Sequence, residues 1–168
     1  MLEDLIREPA LRDFDYGIIH FESPDERGID VALLYRKAFF VPEHFRKHVL
    51  YLYDHNRERD FTRDQLVVTG FLGGERIHVL VNHWPSRSGG QARSAPYRLR
   101  AAKLNKRIID SIQRLEPTAK VLSMGDFNDD PIDDAFKDVL QTIGNKKQAI
   151  DQQKLFNPME HLFKNGYG

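Results

Sequence analysis

Two apolar runs in this sequence end in polar residues suited to chemistry. The first, "IHVLVNHWPSR", delivers Asn82 and His83, and the second, "KVLSMGDFNDDP", delivers Asp126 and Asn128. Asp126 and Asn128 stand two apart, so on an extended strand they share a face. The carboxylate can bind a hard cation or hold a water, and the amide can donate to a phosphoryl oxygen. Gly125, just before them, allows a ligand or another backbone to approach closely. The titration range of His83 suits acid–base work or a phosphate contact. The adjoining loop "PSRSGGQAR" adds Arg87, Arg93, two hydroxyls and a Gly-Gly backbone able to turn its N–H groups toward an anion. Arg63, leading into "DQLVVTG", and Arg27, in the turn before "IDVALLYR", could also reach phosphate.

Each feature has a plainer reading. "GDFNDDP" is rich in turn formers whose side chains bond the local backbone. His83 beside Trp84 could be a satisfied structural histidine, the "PSRSGGQAR" loop could simply be solvated, and Arg27 and Arg63 could form surface ion pairs. Asp129, Asp130, Asp133 and Asp134 could bind a divalent ion, but are better read as covering the N-terminus of the following helix, where negative charge is favoured. His44, His48 and His55 lack metal-ligand spacing.

Strands and helices must hold these groups in place. "YGIIHFES" reads as a strand, "SPDERG" as a turn, and "IDVALLYRKAFFVPEHFRKHVLYL" as two or more strands bent at Pro42. "DHNRERDFTR" reads as a polar loop. "DQLVVTGFLGGERIHVLVNHW" is strand, Gly-Gly turn, strand, a hairpin signal. Ser94 is placed to cap a helix with Pro96 near its first position. That helix carries Ala101, Leu104, Ile108 and Ile112 as one stripe and ends at Pro117. "AKVLSMGDF" has the nearly continuous apolar character of a strand buried on both faces. "PIDDAFKDVLQTIG" reads as a short helix. Hairpins beside strand–helix–strand units give an α/β class with a mixed sheet and helices outside.

Composition sets the bounds. The 168 residues, 40% of them hydrophobic, suit a single domain over residues 1–168 with its own core. Twenty-five basic residues balance 25 acidic ones, so no global field draws the chain to a polyanion, and any such binding needs a local patch. There is no cysteine, which excludes disulfides and thiolate chemistry. The charged N-terminus is no secretory leader and no apolar run reaches membrane-spanning length, so the expectation is a soluble chain with no membrane segment and no readable compartment.

"MGDFNDDP" resembles the "GDFN" signature of the endonuclease/exonuclease/phosphatase superfamily, which includes pancreatic deoxyribonuclease and apurinic endonucleases. "IDVALLYR", "FTRDQLVV" and "VNHWPSR" resemble further stretches of it in the same order, spanning about residues 14 to 136. In "FTRDQLVV" the proline often found soon after the arginine is replaced by Asp64 or Gln65. In "VNHWPSR" the usual asparagine two before the histidine is Val81, with Asn82 adjacent. The resemblance implies a two-sheet α/β sandwich of the deoxyribonuclease-like type and Mg²⁺- or Mn²⁺-dependent cleavage of phosphate esters, nucleic acid among them. Asp126 would orient or deprotonate the attacking water or bind metal. Asn128 would hold a phosphoryl oxygen, and His83 would contact phosphate or protonate the leaving oxygen. Arg63 would meet a substrate phosphate, joined by Arg27, Asn82 and Arg87.

The same resemblance implies that partners are missing. Family members carry an asparagine-bearing strand and then the glutamate that is the principal metal ligand; neither Glu3 nor Glu22 matches it. They close on an Asp–His pair, and His161 has no aspartate in that pattern. The expectation is therefore a partial sandwich with weak or absent metal binding and little turnover of its own, because such groups act as a unit. Open sheet edges would be covered by self-association. Two other readings stand beside it: a non-catalytic phosphate- or protein-binding piece of the same fold, and an unrelated α/β domain in which "GDFN" is only a turn.

Overall fold

Strand pairing in the computed structural model, which describes residues 1–167, follows the hydrophobic alternation of the sequence. After a short helix α1 (Leu2–Arg7) and a 3-10 turn (Arg12–Phe14), the strands are β1 (Tyr16–Phe21), β2 (Val31–Arg36), β3 (Phe40–His48), β4 (Leu52–Tyr53), β5 (Arg59–Asp60), β6 (Gln65–Leu72) and β7 (Glu75–His83). The long helix α2 (Gln91–Leu115) leads to β8 (Lys120–Asp126), and a π-helical turn (Ala135–Val139) and helices α3 (Lys146–Asp151) and α4 (Met159–Lys164) follow. By internal contacts the chain divides into two compact units. One holds Met1–His83 and Ile112–Asp126; the other holds Trp84–Ser111 and the chain from Phe127 onward.

In the first unit, β3, β6, β7 and β8 form a four-stranded sheet in that order. β6 and β7 are the expected hairpin, paired from Leu66↔Val81 to Leu72↔Glu75 across the Gly73–Gly74 turn. β7 and β8 run parallel, the arrangement that needs a long crossover. β1 and β2 form a separate antiparallel pair. Ile19, Val31 and Leu33 of that pair pack with Phe40, Leu66, Val68, Val79 and Val81 of the larger sheet. Alternate residues of β6 and β7 supply this face, so the core follows from the period of two along a strand. Each such buried side chain contributes about 1.5–3 kcal/mol. The result is the expected mixed α/β architecture, with one sheet packed on another.

Three local expectations need correction. β8 is an edge strand with Leu122 exposed, not one buried on both faces. Its apolar run is real, but no strand flanks it on its outer side among the described residues. α2 begins at Gln91, so Ser94 lies inside the helix; its hydroxyl and its N–H both donate to the Gly90 carbonyl. Pro96 is therefore internal rather than near the first position. Finally, the stretch expected as a polar loop contains the strand β5, which pairs with β4 just before it in a small hairpin. Ala101, Leu104 and Ile108 of the α2 stripe are buried as their spacing predicts.

In the second unit, Trp84, Phe127 and Phe136 make an aromatic cluster, with Trp84 and Phe136 stacked and Phe127 edge-on to both. Among the described residues, no helix is long and apolar enough to cross a membrane.

Candidate phosphoester site

The parallel register of β7 and β8 sets Asn82 beside Gly125 and His83 beside Asp126. Two strand ends thus present their polar residues abreast. Gly125 is required there: it adopts φ 131°, and a Cβ would stand 1.9 Å from the Asn82 carbonyl oxygen. Asn82 is buried, and its Nδ2 donates toward the Leu80 carbonyl (3.2 Å), Ser123 Oγ (3.0 Å) and the Met124 carbonyl (3.1 Å). The amide nitrogen is turned into the sheet, where it ties β7 to β8 and fixes the segment leading to His83.

The antiparallel partner brings a third element to the same end. Leu66 pairs with Val81, so the residues just before β6 lie beside the end of β7. Arg63 is one of them, and it is not a surface residue. Its side chain and that of Asp25 are each 3% exposed, with Nη1 donating to Asp25 Oδ2 at 3.1 Å. Asp25 Oδ1 also accepts from the Arg27 backbone N–H at 3.0 Å, and the exposed Arg27 Nε lies 3.5 Å from it. Burial pushes the Asp25 carboxyl up, but the bonds from Arg63 and Arg27 outweigh it and hold the group below the ordinary carboxylate value.

His83 is half-buried at this rim. Burial first, then the positive charges of Arg63 and Arg27, push its pKa below the ordinary histidine value; Asp126 and Asp25 oppose them. The imidazole is therefore biased toward its neutral form, in a field set by two guanidiniums and two carboxylates. Asp126 is solvent-exposed. Asp25 is committed to arginine, whereas the Asp126 carboxylate faces solvent at the strand end. No three His, Cys, Asp or Glu side chains gather as a metal cage among the described residues. Such a rim fits Mg²⁺ only in the manner of one carboxylate completed by water and substrate phosphate.

Asn128 and Arg87 belong to the second unit. Asn128 takes a left-handed conformation (φ 51°), which asparagine tolerates, and its Nδ2 donates to the Trp84 carbonyl at 2.9 Å. Arg87 donates through Nε to the Asn128 carbonyl at 3.0 Å, and its Nη2 lies 3.1 Å from both Asp130 and Asp133. The bond to Asp130, joined by the neighbouring aspartate charges, raises its pKa despite partial burial. Arg87 is thus engaged with aspartates of its own unit. Asp129, Asp130 and Asp133 answer arginines rather than a helix end, while Asp134 stands at the N-cap of the π-helical turn, as the acidic run suggests. Arg98, wholly buried, donates from Nε to Asp129 at 2.6 Å, from Nη1 to Ser94 Oγ at 2.9 Å and from Nη2 to Gln91 Oε1 at 2.6 Å. The first turn of α2 supplies two of these acceptors, Gln91 and Ser94.

Three of these residues escaped sequence reasoning. Asp25 lay in a segment read only as a turn, and its partner is 38 positions away. Arg98 carried a signal: it falls three before Ala101, on the apolar stripe of α2, where a solvated arginine does not belong. Asp129 stands in an acidic run whose pattern points to a helix end.

The sequence profile of the Endonuclease/Exonuclease/phosphatase family matches residues 1–168. The chain belongs to this family. No curated protein matches significantly. Solved structures of endonuclease/exonuclease/phosphatase-type folds do. ANGEL2, a 2′,3′-cyclic phosphatase, aligns with TM-score 0.62 and 16% identity over 83% of this chain and 40% of its own. The human Nocturnin catalytic domain with bound sulfate gives 0.54 and 19% over 78% and 49%. D. rerio TDP2 with single-strand DNA product gives 0.51 and 14% over 82% and 46%. These identities speak for the fold. The chain spans about half the length of these solved chains or less.

Proposed function

We propose that this endonuclease/exonuclease/phosphatase-family chain carries part of a site for metal-dependent hydrolysis of phosphate esters. The observation that carries the reading is the register of β7 and β8, which sets His83 beside Asp126 with Arg63 and Arg27 close enough to depress the His83 pKa. Arg27 and Arg63 supply positive potential for a phosphate. Arg63, buried and braced by Asp25, fixes that potential in place. Asp126 orients the attacking water or holds the cation. His83 donates an N–H to a phosphoryl oxygen or exchanges a proton with water or leaving group. Asn128 takes a phosphoryl oxygen in this reading on the strength of its motif position. A bound Mg²⁺ or Mn²⁺ supplies charge stabilisation at phosphorus.

Nucleic acid is one phosphoester class that fits, and its use by a relative solved with a DNA product supports it. A second reading is binding without turnover. It is favoured by the hydrogen bonds and ion pairs that engage Asn82 and Arg87.

A panel of phosphodiesters and phosphomonoesters with Mg²⁺, Mn²⁺ and EDTA tests both. We expect weak, EDTA-sensitive turnover that Asp126→Asn removes. Turnover at the rate of a complete enzyme would contradict the account of a partial site. Phosphate binding with no turnover under any metal selects the second reading.

A further inference from the structure

The β4–β5 hairpin carries a feature that the proposed chemistry does not use. Leu52 faces inward and is 1% exposed, while Tyr51 and Tyr53 on either side are 56% and 44% exposed. Tyr53 pairs with Arg59, and Phe61, two beyond Arg59, is 39% exposed. One solvent-facing side of the hairpin thus collects Tyr51, Tyr53, Arg59 and Phe61. The Arg59 guanidinium carbon lies 4.8 Å from the Tyr51 ring centroid and 4.6 Å from that of Phe61. Arg59 forms no ion pair among the described residues. It is held by rings while its N–H groups stay uncommitted.

The hairpin is also ordered for presentation. At its tip the Asp54 carboxylate accepts from the backbone N–H groups of Asn56 and Glu58, each at 2.8 Å. Phe61 stands two residues before Arg63, so the two Cα atoms lie within about 7 Å. The hairpin thus leads along the chain directly to Arg63 of the candidate site.

We propose that this side of the hairpin is a stacking platform for a nucleotide of single-stranded nucleic acid, next to the scissile phosphate. The inference rests on the phosphoester reading above and deepens it by naming the substrate class. A base stacks on Tyr51 or Phe61, and the adjacent phosphate meets Arg59. Exposed aromatics with an interleaved, unpaired arginine are the chemistry that binds single strands without base identity. A duplex offers no free base faces and is not the ligand.

The test is fluorescence anisotropy in EDTA with a labelled oligothymidylate 12-mer, an abasic 12-mer of the same backbone and a duplex. The wild-type chain is expected to bind the thymidylate strand about tenfold more tightly than the abasic one. Phe61→Ala and Tyr51→Ala are expected to narrow that preference, and Arg59→Ala to reduce the slope of log K against log salt by about 0.7. Melting curves confirm that the variants fold. Equal binding of thymidylate and abasic strands overturns the platform. So does a change in sedimentation on Tyr51→Ala or Phe61→Ala with no change in strand binding, which would mark a protein interface instead. Hydrolysis of bis(p-nitrophenyl) phosphate with Mn²⁺, followed in parallel, separates this inference from the one beneath it. Base-dependent binding without hydrolysis overturns only the catalytic reading. Hydrolysis that Asp126→Asn removes, without base preference in binding, overturns only the platform.

Discussion

Asp25 and Arg63 show how much a single side chain can hold at the rim. Both are buried, so removing the carboxylate leaves an uncompensated guanidinium in the interior. Asp25→Ala is expected to cost about 3–5 kcal/mol in urea unfolding, far more than a surface pair would. The pH dependence has a definite sign. The Asp25 pKa is lowered on folding, so its contribution is complete above the unfolded carboxylate value and is lost as pH falls through the folded one. The wild-type chain should therefore lose stability in acid more steeply than Asp25→Asn. His83 reports on the ligand. Its pKa is depressed by burial and by Arg63 and Arg27, and a bound anion would offset those positive charges. NMR titration of the imidazole is expected to show its pKa rising when phosphate is added. No rise would mean that phosphate does not reach this rim.

At the scale of elements, the β7–β8 junction sets the position of the site. The register holds because Asn82 bonds across to Ser123 and Met124, and because Gly125 leaves room for the Asn82 backbone. Gly125→Ala places a methyl carbon into that backbone at an unfavourable φ, so the strand ends must part. We expect a loss of at least about 2 kcal/mol, from overpacking and left-handed strain together. Activity should fall more than stability does, because His83 and Asp126 would no longer stand abreast. Thermal melts beside single-substrate kinetics would show the split. In the second unit the comparable device is Arg98, whose bonds join the start of α2 to Asp129. Burial pushes the Asp129 carboxyl up against the opposing pull of Arg98.

For the molecule as a whole, the open question is what meets the sheet edges. β3 and β8 are the outer strands of the four-stranded sheet, and Leu122 on β8 and Val41 and Phe45 on β3 are exposed. The β3 edge is blunted by Pro42 and an irregular register at Pro42/His44. β8 has no such protection among the described residues, so self-association is expected to run through it. Sedimentation should show a concentration-dependent species at micromolar protein that Leu122→Lys removes. A clean monomer would sink the idea.

Periodicity by itself determined the strands, the β6–β7 hairpin and the mixed α/β class, because alternation and turn chemistry are local. The "GDFN" and "NHW" motifs likewise marked two strand ends as the place to look. Only tertiary structure decided which polar residues face outward. Asn82 and Arg87 were plausible phosphate ligands on type and position, yet one is spent on the β7–β8 seam and the other on aspartates of its own unit. Arg63 resembled a surface charge until Asp25 buried it. A side chain's freedom to meet a ligand depends on which partners, distant in sequence, have already taken its hydrogen bonds, and no local pattern records that.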